Sequence, residues 1–113
     1  MTVLEIDKST REGTATFANG EIAHIVSHAV YASTNTWTGG TASVVSVYKF
    51  DDGSGFTLRW VSIYNVLIHR CTGLFSEGMG RFAGMTGSAT GGGEPPGRLA
   101  SIVLWTGAYE LKN

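Results

Sequence analysis

Glycine is the residue type that most constrains how this chain can fold. The 113 residues contain 16 glycines and only 2 prolines, and the glycines separate short segments rich in valine, threonine and tyrosine. Glycine weakens a helix interior, whereas β-branched and aromatic residues pack well in strands. Short strand-like segments separated by glycine turns are typical of a β-sandwich or a β-barrel. The length suits a single domain over residues 1–113.

Turn and strand signals support this interpretation along the chain. Asn19-Gly20 predicts a two-residue hairpin turn, because both positions of such a turn prefer positive φ. The strongest strand is predicted at FTLRWVSIYNVLI, residues 56–68, and HRCTGLFSEG is predicted to pair back against it. One parity of the strong strand, and therefore one face, carries Phe56, Leu58, Trp60, Tyr64, Val66 and Ile68.

Residues 21–33, EIAHIVSHAVYAS, fit two structures. A helix would gather Ile22, Ile25, Val26, Ala29 and Val30 on one face, whereas a strand would place Ile22, His24, Val26, His28 and Val30 together. Periodicity alone does not decide between them. The preceding Asn-Gly turn and the β-branched content favour a strand.

The stretch EGMGRFAGMTG, residues 77–87, holds four glycines and matches the pattern GxGxxG/A. A dinucleotide site needs a helix after this pattern and an acidic residue further on. The following residues, with Gly91, Gly92 and Gly93, cannot form a helix, and no Gly-Lys-Ser/Thr of a P-loop follows. We therefore interpret these glycines as architectural, supplying the bends of a β fold.

The same region carries a family resemblance. GMGRFAGMTGSAT is similar to a stretch in small bacterial proteins related to allene oxide cyclases and dirigent proteins, and YKFDDGSGFTLRW and WTGAYEL also fit that family. Met79 and Met85 depart from the small residues expected there. The matching positions are Gly80, Arg81, Phe82, Ala83, Gly84, Thr86, Gly87, Ser88 and Thr90.

The resemblance implies a closed antiparallel eight-stranded β-barrel with an apolar cavity, often oligomeric. Phe82 would then anchor the core, and Arg81, of opposite parity, would cap one end of the barrel. The implied activity is that of a cyclase or isomerase acting on an apolar small molecule without a cofactor. A non-catalytic binding barrel and a structural oligomer with a filled core remain the alternatives.

Composition argues against nucleic acid or a membrane as a partner. The formal net charge is −1 and the eight basic residues are scattered, so no nucleic-acid surface is expected. No apolar run approaches the roughly 18 residues of a membrane span. The single cysteine, Cys71, forms no internal disulfide, and the N-terminus lacks a signal-peptide pattern. We expect a cytoplasmic protein, although a processed mature domain would share these features.

No metal site is predicted. On a helix His24 and His28 could share one ion, but on a strand they lie about 13 Å apart, and no further ligand completes a site. Cys71 could act with His69 as a nucleophile, yet no local signature of a cysteine hydrolase surrounds it. A buried, inert thiol is the preferred interpretation.

The predicted ligand site follows the parity of the strong strand. Tyr64 is the candidate group that orients a substrate oxygen, and Glu21 is a second catalytic candidate near a strand end. The alternative for Tyr64 and Trp60 is that both fill the core. The predicted ligand-contacting residues are Phe56, Leu58, Trp60, Val66 and Tyr48.

Self-association is also predicted, as a dimer or a trimer. Both parities of residues 21–33 and of residues 99–109 carry apolar side chains. An outward face of a β-barrel should be more polar than this unless another surface covers it.

Overall fold

The computed structural model describes residues 3–34, 39–64, 69–93 and 103–111. No helix in these ranges is long and apolar enough to cross a membrane. The strands form one antiparallel sheet in which their spatial order is their order in the chain. They are β1 (Val3–Thr16), β2 (Ile22–Thr34), β3 (Gly40–Lys49), β4 (Gly55–Tyr64), β5 (His69–Met79), β6 (Met85–Gly93) and β7 (Val103–Leu111), with a 3-10 turn at Gly80–Phe82.

The all-β prediction is confirmed, but the closed eight-stranded barrel is wrong in strand number and in closure. The described residues form seven strands, and β1 and β7 are the two edges of an open sheet. Closing a barrel requires a particular stagger between the first and last strands. That stagger is a long-range property which the alternation within each strand does not specify.

The ambiguous segment is a strand. Ala23 and Ala29 of β2 are buried, whereas His24 and His28 on the opposite parity are exposed. Small inward side chains let β2 lie close to the core, and the alternation of burial follows the period of two that a strand imposes. The predicted pairing of residues 69–78 with the strong strand is also confirmed, as β4–β5.

Two hairpins at one end of the sheet have the same turn. Phe17 N–H donates to Glu21 O and Gly20 N–H to Phe17 O, while Phe50 N–H donates to Ser54 O and Gly53 N–H to Phe50 O. Gly20 and Gly53 have positive φ, +88° and +85°. The Asn19-Gly20 turn therefore forms, but as a three-residue loop in which only the glycine is left-handed, instead of the predicted two-residue turn.

The sheet has an inner face, whose side chains form the core, and an outer face. On β4, Phe56 and Leu58 are buried on the inner face, whereas Arg59 and Ile63 are exposed on the outer face, as predicted. Thr57 shares the outward parity of Arg59 and Ile63, yet it is buried. The main core cluster consists of Ala23, Tyr48, Phe50, Phe56, Leu58, Phe82 and Met85.

The sheet curls around this core. Trp60 on β4 and Trp105 on β7 are separated by two strands, which would span about 14 Å between the outer pair if the sheet were flat. Their ring centroids lie only 5.3 Å apart. Gly73 lies opposite Trp60 on β5, and a Cβ at this glycine would come within 2.8 Å of Trp60 Cβ. The glycine thus lets the large indole lie across its strand.

The glycine-rich stretch is architectural, as the sequence indicates. Phe82 lies in the 3-10 turn, is only 7% exposed, and packs edge-on against Phe56 with centroids 5.2 Å apart. Arg81 lies on the other side of this turn and contacts both hairpin turns through Glu21 and Asp52. Phe82 therefore anchors the core, as predicted. Arg81 lies at the hairpin end of the sheet, but the closed barrel that it was expected to cap does not form.

Candidate functional site

A groove of about 890 Å³ lies on the outer face of the sheet. It runs across strands β1 to β5 between two rows of side chains that register partners bring side by side. The first row is Thr10, His28, Val45, Arg59 and Leu74, and the second is Val30, Ser43, Val61 and Thr72.

The floor of the groove is the backbone between these rows. Ala29, Val44, Trp60 and Gly73 line the groove, although these residues belong to the opposite parity. Three apolar side chains in the walls of the groove are accessible to solvent: Val30 is 42%, Val61 50% and Leu74 65% exposed. The groove is therefore an open trough with apolar walls. Its volume lies in the range of small-molecule sites, about 300–1,000 Å³.

Both rows of the groove carry polar side chains, and those of the first row form hydrogen bonds. His28 Nδ1 is 3.1 Å from Thr10 Oγ1. Arg59 Nη2 donates to both carboxylate oxygens of Glu77, at 3.1 and 3.3 Å. Hydrogen bonds from Thr57 and Arg59 lower the pKa of Glu77, so this carboxylate stays ionised beside the groove.

Glu77 occupies a β-bulge. The register between β4 and β5 shifts between Gly55 and Thr57, which leaves an extra residue on β5. Glu77 has φ of 55°, the left-handed region that non-glycine residues rarely adopt. This bulge brings the Glu77 carboxylate over Thr57 and beside Arg59, which explains why Thr57 is buried on the outer face.

The predicted ligand contacts on the inner face pack against one another. Tyr48, Phe56 and Leu58 are 6%, 4% and 1% exposed, and the Tyr48 and Phe56 rings stack with centroids 4.7 Å apart. Burial raises the pKa of Tyr48 to about 12, so its hydroxyl remains protonated. This part of the inner face is filled by side chains, and Val66 lies outside the described residues.

Trp60 and Tyr64 lie on the inner face, as their parity predicts. Trp60 Nε1 donates to Ser46 Oγ at 2.9 Å, and Ser46 Oγ is also 2.7 Å from Ser27 Oγ. Both aromatic residues are half-buried and pack against a small cluster of Ala29, Ala42 and Val44. The structure therefore brings Trp60 and Tyr64 to one cluster, on the face opposite to the outer groove.

Glu21, the second catalytic candidate, lies at the hairpin end of the sheet. Its carboxylate accepts hydrogen bonds from both terminal nitrogens of Arg81 and from Asn19 Nδ2. The Arg81 guanidinium also lies 4.7 Å from the Phe50 ring centroid and 4.8 Å from that of Phe82. Hydrogen bonds from Arg81, then from Asn19, lower the pKa of Glu21. Tyr64 and Glu21 thus occupy different parts of the sheet.

We expect the Arg81 contacts to make stability depend on pH. Hydrogen bonds from Ser54 and the charge of Arg81 lower the pKa of Asp52, as Arg81 lowers that of Glu21. A lowered carboxyl pKa stabilises the fold above the unfolded value, near 4, and this stabilisation disappears as pH falls through the folded value. Arg81→Met should therefore lower the thermal midpoint more at pH 7 than at pH 3, where the contacts with the Phe50 and Phe82 rings are lost but the ion pairs contribute less. An equal loss at both pH values would contradict this assignment.

A second polar cluster lies on the inner face between β4 and β5. Cys71 Sγ is 3.3 Å from His69 Nε2, and Ser62, the register partner of Cys71, is buried with no hydrogen-bond partner for its hydroxyl among the described residues. Burial raises the pKa of Cys71 to about 11, so the thiol is protonated at neutral pH. The burial of Cys71 and its raised pKa fit the buried, inert thiol that was predicted from the sequence.

No group of three or more metal-ligating side chains occurs in the described ranges. Sequence reasoning missed the outer groove. Its signal was present in Val61 and Leu74, which are apolar residues at the outward parity of β4 and β5. Such residues break the alternation expected of a strand with one solvated face.

No family model, curated protein or solved structure matches this chain. The resemblance to proteins related to allene oxide cyclases and dirigent proteins therefore rests on the quoted residues alone and stays a prediction.

Proposed function

We propose that this protein is a non-catalytic binding module that takes an apolar small molecule into the groove on its outer face. The observation that carries the proposal is the groove itself, about 890 Å³ with valine and leucine walls that are half-exposed. Apolar side chains left open to water at a concave surface gain free energy when a ligand covers them, about 25 cal/mol for each Å² buried.

The polar residues of the groove suit orientation of a ligand. His28, Arg59 and Thr72 are spaced among the apolar walls, so a bound molecule with one polar group can satisfy it without leaving the trough. The two catalytic candidates predicted from the sequence, Tyr64 and Glu21, do not line the groove. Binding in the groove is therefore preferred to catalysis as the proposed function.

Substitution at Val61 tests the proposal. The probe is N-phenyl-1-naphthylamine, a neutral apolar dye whose fluorescence rises on binding. Val61→Asp puts a carboxylate on the groove wall, where the ligand would have to desolvate it, and we expect dye affinity to fall about tenfold or more.

Ile63→Asp is the matched control. Ile63 lies two residues further along β4 on the same outer face, is 60% exposed against 50% for Val61, and does not line the groove. The affinity of the Ile63→Asp variant for the dye should stay within about twofold of that of the parent protein. Equal losses in the two variants, or a parent protein that does not bind the dye, would refute the proposed function.

A further inference from the structure

In the part of the chain that the structure describes, the edge strand β1 has a neighbouring strand on one side only. Among the described residues, Val3–Thr16 pairs with β2 only. Residues 10–14 are exposed at both parities, so the core covers neither face of this part of the strand. An antiparallel edge strand presents a row of unpaired backbone N–H and C=O groups that another strand can use.

The sequence of β1 carries charged residues, which protect an edge unless the partner's charges are complementary, but three other protective features are missing. It contains no proline, it is 14 residues long against 9 for the other edge, β7, and its ladder with β2 is regular from Glu5 to Thr16. Natural edges are usually shortened, bulged or interrupted by proline to prevent pairing with other chains. A long, regular and solvent-exposed edge instead fits a strand that pairs with another molecule.

We propose that β1 pairs antiparallel with β1 of a second copy of this chain, about a two-fold axis at Thr10. Residues of like parity must oppose each other, because the inner face of one copy then continues the inner face of the other. The axis at Thr10 sets position 8, a lysine, opposite position 12, a glutamate, and symmetry supplies this pair twice.

The remaining pairs of this register are compatible with a sheet. Thr10 faces its own copy and position 6, an isoleucine, faces Thr14, so β-branched residues oppose one another. No position has a like charge opposite. An axis at position 8 would instead oppose two lysines, and an axis at position 9 would set isoleucine opposite glutamate.

The pairing would also extend the groove. Thr10 is the groove residue nearest the free edge, since the first row runs from Thr10 on β1 to Leu74 on β5. The two-fold axis therefore joins two grooves end to end on one continuous outer face. This consequence rests on the proposed ligand binding, whereas the pairing of the two β1 strands does not.

Cysteine cross-linking tests the axis. Directly opposed residues of antiparallel strands have Cα atoms about 4.5–5.5 Å apart, within the range of a disulfide. Thr10→Cys should therefore form a covalent dimer under mild oxidation on a non-reducing gel. Thr14→Cys is the control: it is exposed on the same strand and parity, but faces position 6 of its partner, and should remain monomeric on the gel. Buried Cys71 is common to both variants.

Charge reversal provides an independent measurement by sedimentation. Glu12→Lys should weaken the dimer about tenfold or more, because two attractive pairs become repulsive. Adding Lys8→Glu should restore the parent affinity, and Glu110→Lys on β7 should leave it unchanged. A monomeric parent, equal cross-linking of the Thr10 and Thr14 variants, or no restoration by the double substitution would overturn the proposal. Dye binding by a protein that remains monomeric would overturn the dimer while leaving the proposed function intact.

Discussion

Replacing Phe82 with alanine is expected to lower the free energy of unfolding by about 3–5 kcal/mol. The ring is 7% exposed and lies within 5.2 Å, centroid to centroid, of both Phe50 and Phe56. Its removal leaves a cavity between the 3-10 turn and the sheet, so buried contacts are lost along with the transfer free energy of the ring. The loss is a large part of the roughly 5–15 kcal/mol that typically separates folded from unfolded domains.

Met79→Ala is the control for this prediction. Met79 lies in the same glycine-rich stretch but is 48% exposed, and its truncation should change stability by about 0.5 kcal/mol or less. Urea denaturation followed by tryptophan fluorescence measures both variants. A loss below about 1 kcal/mol for Phe82→Ala would show that the ring does not anchor the core.

Gly78→Ala is expected to destabilise the fold by about 3 kcal/mol, the upper part of the range for overpacked sites. A Cβ at this position would lie 1.8 Å from the carbonyl oxygen of Phe82 and 3.1 Å from Met85 Cβ. The nearest obstacle is backbone, so relief requires movement of the 3-10 turn itself. That movement would also displace Phe82 from the core.

Gly13→Ala is the matched glycine substitution. Gly13 lies in β1 and does not have positive φ, and a Cβ added to it would meet no atom within 4 Å. Alanine should therefore be neutral or stabilising by up to about 1 kcal/mol, because it restricts the unfolded chain. Thermal unfolding of the two variants measures the difference. Similar stability of Gly78→Ala and Gly13→Ala would contradict the close approach at Gly78.

Local sequence patterns were sufficient to predict an all-β fold, the pairing of β4 with β5 and the two faces of β4. The parity of Phe56, Leu58 and Trp60 identifies the inner face because side chains alternate strictly along a strand. The glycine-rich stretch could likewise be identified as architecture, since its context excludes a helix. Each of these conclusions depends on residues close together in the chain.

The properties that the sequence did not predict depend on residues far apart. Closure depends on how β1 and β7 meet, and the sheet remains open between them. Thr57 is buried because a bulge on the neighbouring strand, at Glu77, turns a carboxylate over it. The groove combines side chains of five strands, so its shape follows from register and curl, which no single segment specifies.

The location of a bound ligand is the central claim, and NMR with methyl-labelled protein tests it most directly. With N-phenyl-1-naphthylamine bound, intermolecular nuclear Overhauser effects should reach the methyl groups of Val61 and Leu74, which line the outer groove. Intermolecular nuclear Overhauser effects to the Trp60 indole or the Tyr64 ring would instead place the ligand on the inner face of the sheet. That result would contradict the proposed function.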